Sequence, residues 1–140
     1  TVFCLKPGLV LFNSKRANEK NIPELFKKWD KLWFDDVAPP TDDELDYQKN
    51  VRDKIATRLN KLGFQTNLSH MASPWVGMNF LSLDQKTVIV DGRQKNLIKF
   101  LEKNKFEVIT AKMRHMYTQG GGIHCATLDT VRESKLESYF

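Results

Sequence analysis

Only two cysteines occur in the 140 residues, Cys4 and Cys125, and they fit no CxxC spacing. So sparse a thiol content points to a reducing compartment, here the cytoplasm. Sequence alone does not decide between two free thiols and one Cys4–Cys125 disulfide. No apolar run approaches the ~20 residues that a membrane-spanning helix needs, so no membrane partner is expected. A basic tail is missing too. The 22 Lys and Arg residues are mixed with 17 Asp and Glu along the chain, for a net charge of +5 and a pI near 9.2. That pattern reads as a solvated mixed surface and not as a nucleic-acid face. An initiator Met is also lacking: Thr1 opens directly on a strand-like run, so a fragment or processed form is expected. What remains is enough for one domain with a modest core.

The most informative stretch is Gly120-Gly121-Gly122-Ile123-His124-Cys125-Ala126-Thr127. Packing alone seldom needs three glycines in a row. They suggest a tight turn or a close backbone approach. The stretch is no phosphate loop, because the lysine and hydroxyl residue that should follow the last glycine are missing. It leads into a short β-like segment carrying Cys125, a candidate nucleophile. A buried structural cysteine is the commoner role on spacing alone. On a strand His124 and Cys125 point to opposite faces, so His124 is a poor base for the thiol. His70 and His115 are isolated. His115, His124 and Cys125 lack metal-site spacing, and neither a metal nor a cofactor is expected.

Along the chain, Val2–Leu5 and Leu9–Phe12 read as a hairpin across Pro7-Gly8. A short helix follows over Glu24–Trp29, then a strand at Leu32–Phe34. Thr41 and Glu44 form a capping box, and Val51, Ile55, Leu59 and Leu62 recur at helical spacing up to a stop at Gly63. A helix over about 42–62 is predicted, followed by an extended Phe64–Thr66. Trp75–Leu83 reads as a strand ending at Asp84-Gln85, and Thr87–Val90 as another. Asp91 and Gln94 read as a capping pair ahead of a helix with Leu97, Ile98 and Leu101 on one face. Phe106–Thr110 returns as a strand, and a short helix is predicted around Arg132–Leu136. The rhythm of strand, strand, helix, strand favours an α/β architecture of repeated ββαβ units.

Two further groups carry possible chemistry. Lys15-Arg16 is either a surface pair or a fork for a carboxylate. Ser73, in the loop Met71-Ala72-Ser73-Pro74-Trp75, is a turn residue unless a ligand claims it. Asp35, Asp36, Asp42 and Asp43 read most simply as strand-end and cap acids.

The glycine run with His124-Cys125, together with Leu136-Glu137-Ser138-Tyr139, resembles the end of the arginine:glycine and inosamine amidinotransferases of the pentein superfamily. Trp75–Asp84, Thr87–Asp91 and Pro7–Asn13 resemble further family segments, and the likeness covers nearly the whole chain. The resemblance implies an α/β propeller of five ββαβ modules. Residues 1–140 would supply roughly the last two, as the C-terminal portion of one catalytic domain.

It also implies a chemistry. The Cys125 thiolate attacks the guanidinium carbon of arginine, ornithine leaves, and an acceptor amine takes the amidino group from sulfur. Cysteine suits both halves as nucleophile and leaving group. Arg16 matches the family's carboxylate-gripping arginine, and Ser73 one of two adjacent serines near the substrate. Ala72 stands at the other serine position, which leaves the acceptor open. The family's acid–base histidine lies in a His-x-Asp motif just before the strand matching Thr1-Val2-Phe3, outside these residues, and the guanidinium-holding carboxylates belong to earlier modules. Little turnover by the chain alone is therefore expected. Two alternatives stand beside transfer: a guanidine hydrolase of the arginine deiminase type, and a non-catalytic binding or assembly domain on the same scaffold. The expected partners are arginine, an amine and further copies of the chain.

Overall fold

The computed structural model describes residues 2–65, 73–113 and 120–128. His70, Met71, Ala72, His115, the helix predicted near Arg132–Leu136 and the Leu136–Tyr139 motif lie outside them.

Two three-stranded sheets share one plan. In the first, β1 (Val2–Lys6) pairs antiparallel with β2 (Leu9–Asn13), and β2 pairs parallel with β3 (Asp30–Phe34). In the second, β4 (Leu81–Ser82) pairs antiparallel with β5 (Thr87–Asp91), and β5 pairs parallel with β6 (Glu107–Ala111). Each parallel pair needs a crossover connection. The first crossover contains a 3₁₀ turn at Glu24–Phe26, and the second contains helix α2 (Lys95–Lys103). A longer helix, labelled α1 (Asp42–Lys61), lies between the sheets in sequence.

Successive side chains of a strand face opposite ways, and β2 is buried on both sides. Val10 and Phe12 join Ile22, Phe26, Trp29 and Trp33, with the Phe12 ring stacked 5.1 Å from Trp33. Leu11 faces the main core with Leu5, Phe34, Met78, Phe80, Val88, Val90, Leu97, Leu101 and Phe106. That core spans both sheets. Phe3 stacks on Phe80 at 4.1 Å, and the Ser82 hydroxyl donates to the Leu5 carbonyl at 3.1 Å. β1 and β4 thus run side by side in the same direction. β2 opposes β1 and β5 opposes β4, so β2, β3, β5 and β6 all point one way. Their carboxyl ends share one edge of the molecule, where open α/β sheets place ligand sites.

Three sequence expectations change. Trp75–Leu83 is mostly a 3₁₀ turn, Pro74–Met78, and only Leu81–Ser82 pairs as strand. Pro74 follows a capping Ser73 whose hydroxyl accepts the Trp75 N–H at 3.4 Å, which starts a helical turn inside an apolar run. Gln94 makes no side-chain cap on the helix, and the backbone N–H that Asp91 accepts is that of Arg93 at 3.2 Å, ahead of it. Asp91, 2% exposed, instead holds the Arg93 guanidinium, which also reaches Glu44 and donates to the Met113 carbonyl at 3.2 Å. Burial pulls the Arg93 pKa down, but bonds and charge from Asp91 and Glu44 outweigh it and raise the pKa above its ordinary value. Gln94 clips the loop after β3, accepting from the Ala38 N–H at 2.8 Å and donating to the Ala38 carbonyl at 3.3 Å.

The third change is that the helix expected over Glu24–Trp29 is only a 3₁₀ turn, Glu24–Phe26. Helix α1 forms where expected. Its capping box forms as expected, with the Glu44 N–H on the Thr41 hydroxyl and the Thr41 N–H on the Glu44 carboxylate. Only Gln48 of the helix is buried, however, and Ile55 and Leu62 are 45% and 71% exposed. The helix is held at its first turns, through Glu44 and Gln48. Toward its C-terminal end no residue is buried.

Candidate active site

Asn79 ends the 3₁₀ turn that Ser73 begins, and it bolts down the glycine stretch. Its side-chain Oδ1 accepts from the N–H of Gly122 at 3.1 Å and from the N–H of Cys125 at 3.0 Å. Its own carbonyl accepts from the His124 N–H at 3.2 Å. Backbone must lie very close to backbone for this. A Cβ on Gly122 would sit 2.4 Å from the Asn79 carbonyl oxygen, and one on Gly121 would sit 2.8 Å from Cys125 Cβ. Gly120 takes a φ of +70°. Such close approach is the physical reason for consecutive glycines here.

The segment carrying Cys125 is a 3₁₀ turn, His124–Ala126, where a β-like segment was expected. Its carbonyls are used locally: Ala126 donates to Gly122 and Ile123, and Thr127 donates to His124. Ile123 is buried beneath the turn, while the Cys125 side chain is exposed. Both cysteines are free thiols, which settles the disulfide question. Neighbours in a 3₁₀ turn point about 120° apart. His124 accordingly lies edge-on to Phe3, with ring centroids 6.0 Å apart, and lines a cleft of about 340 Å³ with Phe3, Cys4, Leu81, Ser82, Thr127 and Leu128. Cys125 is not among the residues lining that cleft. Burial raises the pKa of the Cys4 thiol.

Arg16 sits in a tight turn at the carboxyl end of β2. Its N–H donates to the Asn13 carbonyl at 3.0 Å, and its carbonyl accepts from Asn21 Nδ2 at 3.2 Å. Asn13 Oδ1 accepts the Lys15 N–H at 2.9 Å. Lys15 pairs with Asp35 at 3.5 Å, and Arg16 has no ion pair among the described residues. Ser73 is exposed at the head of the turn that Asn79 closes. The structure therefore joins Ser73 and Cys125 through the two ends of one short turn. Among the described residues, no hydrogen bond or ion pair ties Arg16 to either. Arg16 and the Ser73–Asn79 turn, which leads into β4, do share the edge formed by the carboxyl ends of the parallel strands.

Asn79 was missed as an organiser of the site. The bonds it makes span 43 and 46 residues of sequence, and nothing local announces them. Among the described residues, no three His, Cys, Asp or Glu side chains gather as a metal site would require.

No protein-family model matches the chain. It is 35% identical over 139 residues to inosamine-phosphate amidinotransferase 1 of Streptomyces glaucescens, which covers 99% of this chain and 33% of that protein. It is 43% identical over 134 residues to the mitochondrial glycine amidinotransferase of Xenopus laevis, covering 96% of this chain and 26% of that one. Its fold superimposes on the solved inosamine-phosphate amidinotransferase of Streptomyces griseus with a TM-score of 0.74 at 33% identity, covering 99% of this chain and 33% of the other. The chain spans a third or less of the length of these relatives. Over the stretch it shares with them, the chain is homologous to the inosamine-phosphate and glycine amidinotransferases.

Proposed function

We propose that this chain carries the nucleophile of an arginine-dependent amidinotransferase, and that the nucleophile is Cys125. One observation carries the reading: an exposed thiol stands on a glycine turn whose backbone is bolted to Asn79. A positioned, accessible thiol is what covalent catalysis needs, whereas a packing cysteine would be covered.

In the proposed reaction the Cys125 thiolate forms a bond to the guanidinium carbon of arginine, and one C=N electron pair moves onto nitrogen. The C–N bond to ornithine then breaks, and its nitrogen takes a proton. The acceptor amine attacks the same carbon and gives up a proton to the group that protonated ornithine, the C–S bond breaks, and the thiolate returns. Arg16 is proposed to hold the substrate carboxylate and Ser73 to lie near the substrate. Both are exposed at the site's edge of the molecule. The proton donor is proposed to come from a histidine outside these 140 residues, since His124 packs against Phe3. The chain alone is accordingly proposed to turn over little, and to form two modules of a larger propeller in the cytoplasm. The relatives named above are transferases, which favours transfer over hydrolysis.

The test is mass spectrometry of the longest protein containing this chain after exposure to arginine. An amidino adduct is expected on Cys125. It should vanish in Cys125→Ala and persist in Cys4→Ala. Citrulline release without an added amine would reassign the activity to a hydrolase. A clean spectrum would leave a non-catalytic domain.

A further inference from the structure

A thiol that attacks a neutral carbonyl turns the carbonyl oxygen into an oxyanion. Such sites keep backbone N–H groups free and aimed at that oxygen. The Cys125 turn is built the other way. The nucleophile's own N–H ends on Asn79 Oδ1 at 3.0 Å, and the Gly122 N–H ends on the same oxygen at 3.1 Å. The His124 N–H is taken by the Asn79 carbonyl, and the Ala126 N–H by Gly122 and Ile123. One side chain thus occupies both the nucleophile's own N–H and that of Gly122. Attack on a guanidinium needs neither of them, because the cation loses its charge as the S–C bond forms and no oxygen becomes charged.

We propose that Asn79 is a positioning residue with two effects. It sets the backbone that presents Cys125, and it closes the N–H groups that acyl transfer would require. The site then accepts a cationic carbon electrophile of the amidinium class and discriminates against esters and amides. This rests on the reading of Cys125 as the nucleophile.

The experiment compares two reactions at Cys125 in the longest protein containing this chain. Iodoacetamide alkylates sulfur with loss of iodide and passes through no oxyanion. 4-Nitrophenyl acetate acetylates sulfur through an oxyanion, with loss of nitrophenolate. Peptide mass spectrometry gives both rates at Cys125, with Cys4 as internal reference. Loosening of the turn changes both rates, so their ratio isolates the donor effect. In Asn79→Ala the freed N–H groups should raise the ratio of acetylation to alkylation about tenfold or more. In Asn79→Asp a carboxylate oxygen still accepts both N–H groups, and the ratio should stay at its unmutated value. An unchanged ratio in Asn79→Ala overturns the proposal, as does failure of either reagent to modify Cys125.

Should Asn79→Ala not fold, amide hydrogen exchange in the unmutated protein decides. Slow exchange at Gly122 and Cys125 supports the closed donors, and exchange at the rate of an open loop refutes them. The arginine adduct is read separately. A shifted ratio without an adduct keeps the role of Asn79 and rejects the transferase. An adduct with an unchanged ratio does the reverse.

Discussion

Gly122 has no room for a methyl group. Its Cβ would enter the space of the Asn79 carbonyl oxygen, Cβ and Oδ1 together. Gly122→Ala must therefore push the turn off Asn79, breaking the two bonds that seat Cys125. Overpacking of this kind costs about 1–3 kcal/mol. We expect a loss of that size in urea unfolding, together with loss of the Cys125 adduct; a variant of full stability and reactivity would refute the close approach. Cys4 makes a second prediction at this scale. Burial raises its pKa, so the folded state favours the neutral thiol. Its contribution to stability is complete below the pKa of the unfolded thiol and fades as pH rises through the folded value. In mildly alkaline buffer, mass-resolved alkylation of Cys4 should lag behind that of a free cysteine peptide, and equal rates would contradict it. Sequence revealed the glycines and Cys125 because unusual residues stood side by side. Asn79 stayed hidden because its partners are distant along the chain.

Two helices end in the same way with different residues. After α1, Gly63 takes a φ of +85°, its N–H bonds to the Asn60 carbonyl, and the Phe64 N–H bonds to Leu59. After α2, Lys105 takes a φ of +67°, its N–H bonds to Glu102, and the Phe106 N–H bonds to Leu101. Both are glycine-type caps, and the second places a side chain in the left-handed region. Lys105 is exposed, so Lys105→Gly should raise stability by up to about 1 kcal/mol by relieving that conformation. No gain in thermal or urea midpoint would argue against the cap. The capping box at Thr41 and Glu44 and the stop at Gly63 were readable because they are local hydrogen-bond patterns. Gln94 and Asp91 occupied a similar local pattern, yet their side chains went to Ala38 and Arg93. For Gln94 a backbone partner 56 residues away outcompeted the cap, and for Asp91 the guanidinium two residues on did. The Trp75 run was misread because a short apolar run carries no period that separates strand from helical turn.

As a whole, the chain is two copies of one strand plan packed on a shared core, with α1 tied on by Glu44 and Gln48. Ile55 and Leu62 of α1 and the following Phe64, 60% exposed, leave apolar surface uncovered by the other described residues. Surface of that kind favours association. We expect sedimentation to show self-association that weakens in an Ile55→Glu, Leu62→Glu double variant; a monodisperse monomer across the concentration range would count against it. No helix among the described residues is long and apolar enough to cross a membrane. By itself the sequence determined most of the strands, both ends of α1 and the position of the glycine–cysteine stretch. These depend on backbone preference and on neighbours a few residues away. Only the tertiary structure decided that Asn79 holds the Cys125 backbone, that Gln94 clips the loop at Ala38, and that Ile55 and Leu62 stay uncovered by the other described residues. Each of those outcomes is a contact, or the lack of one, between groups far apart in the chain, and chain folding alone sets such distances.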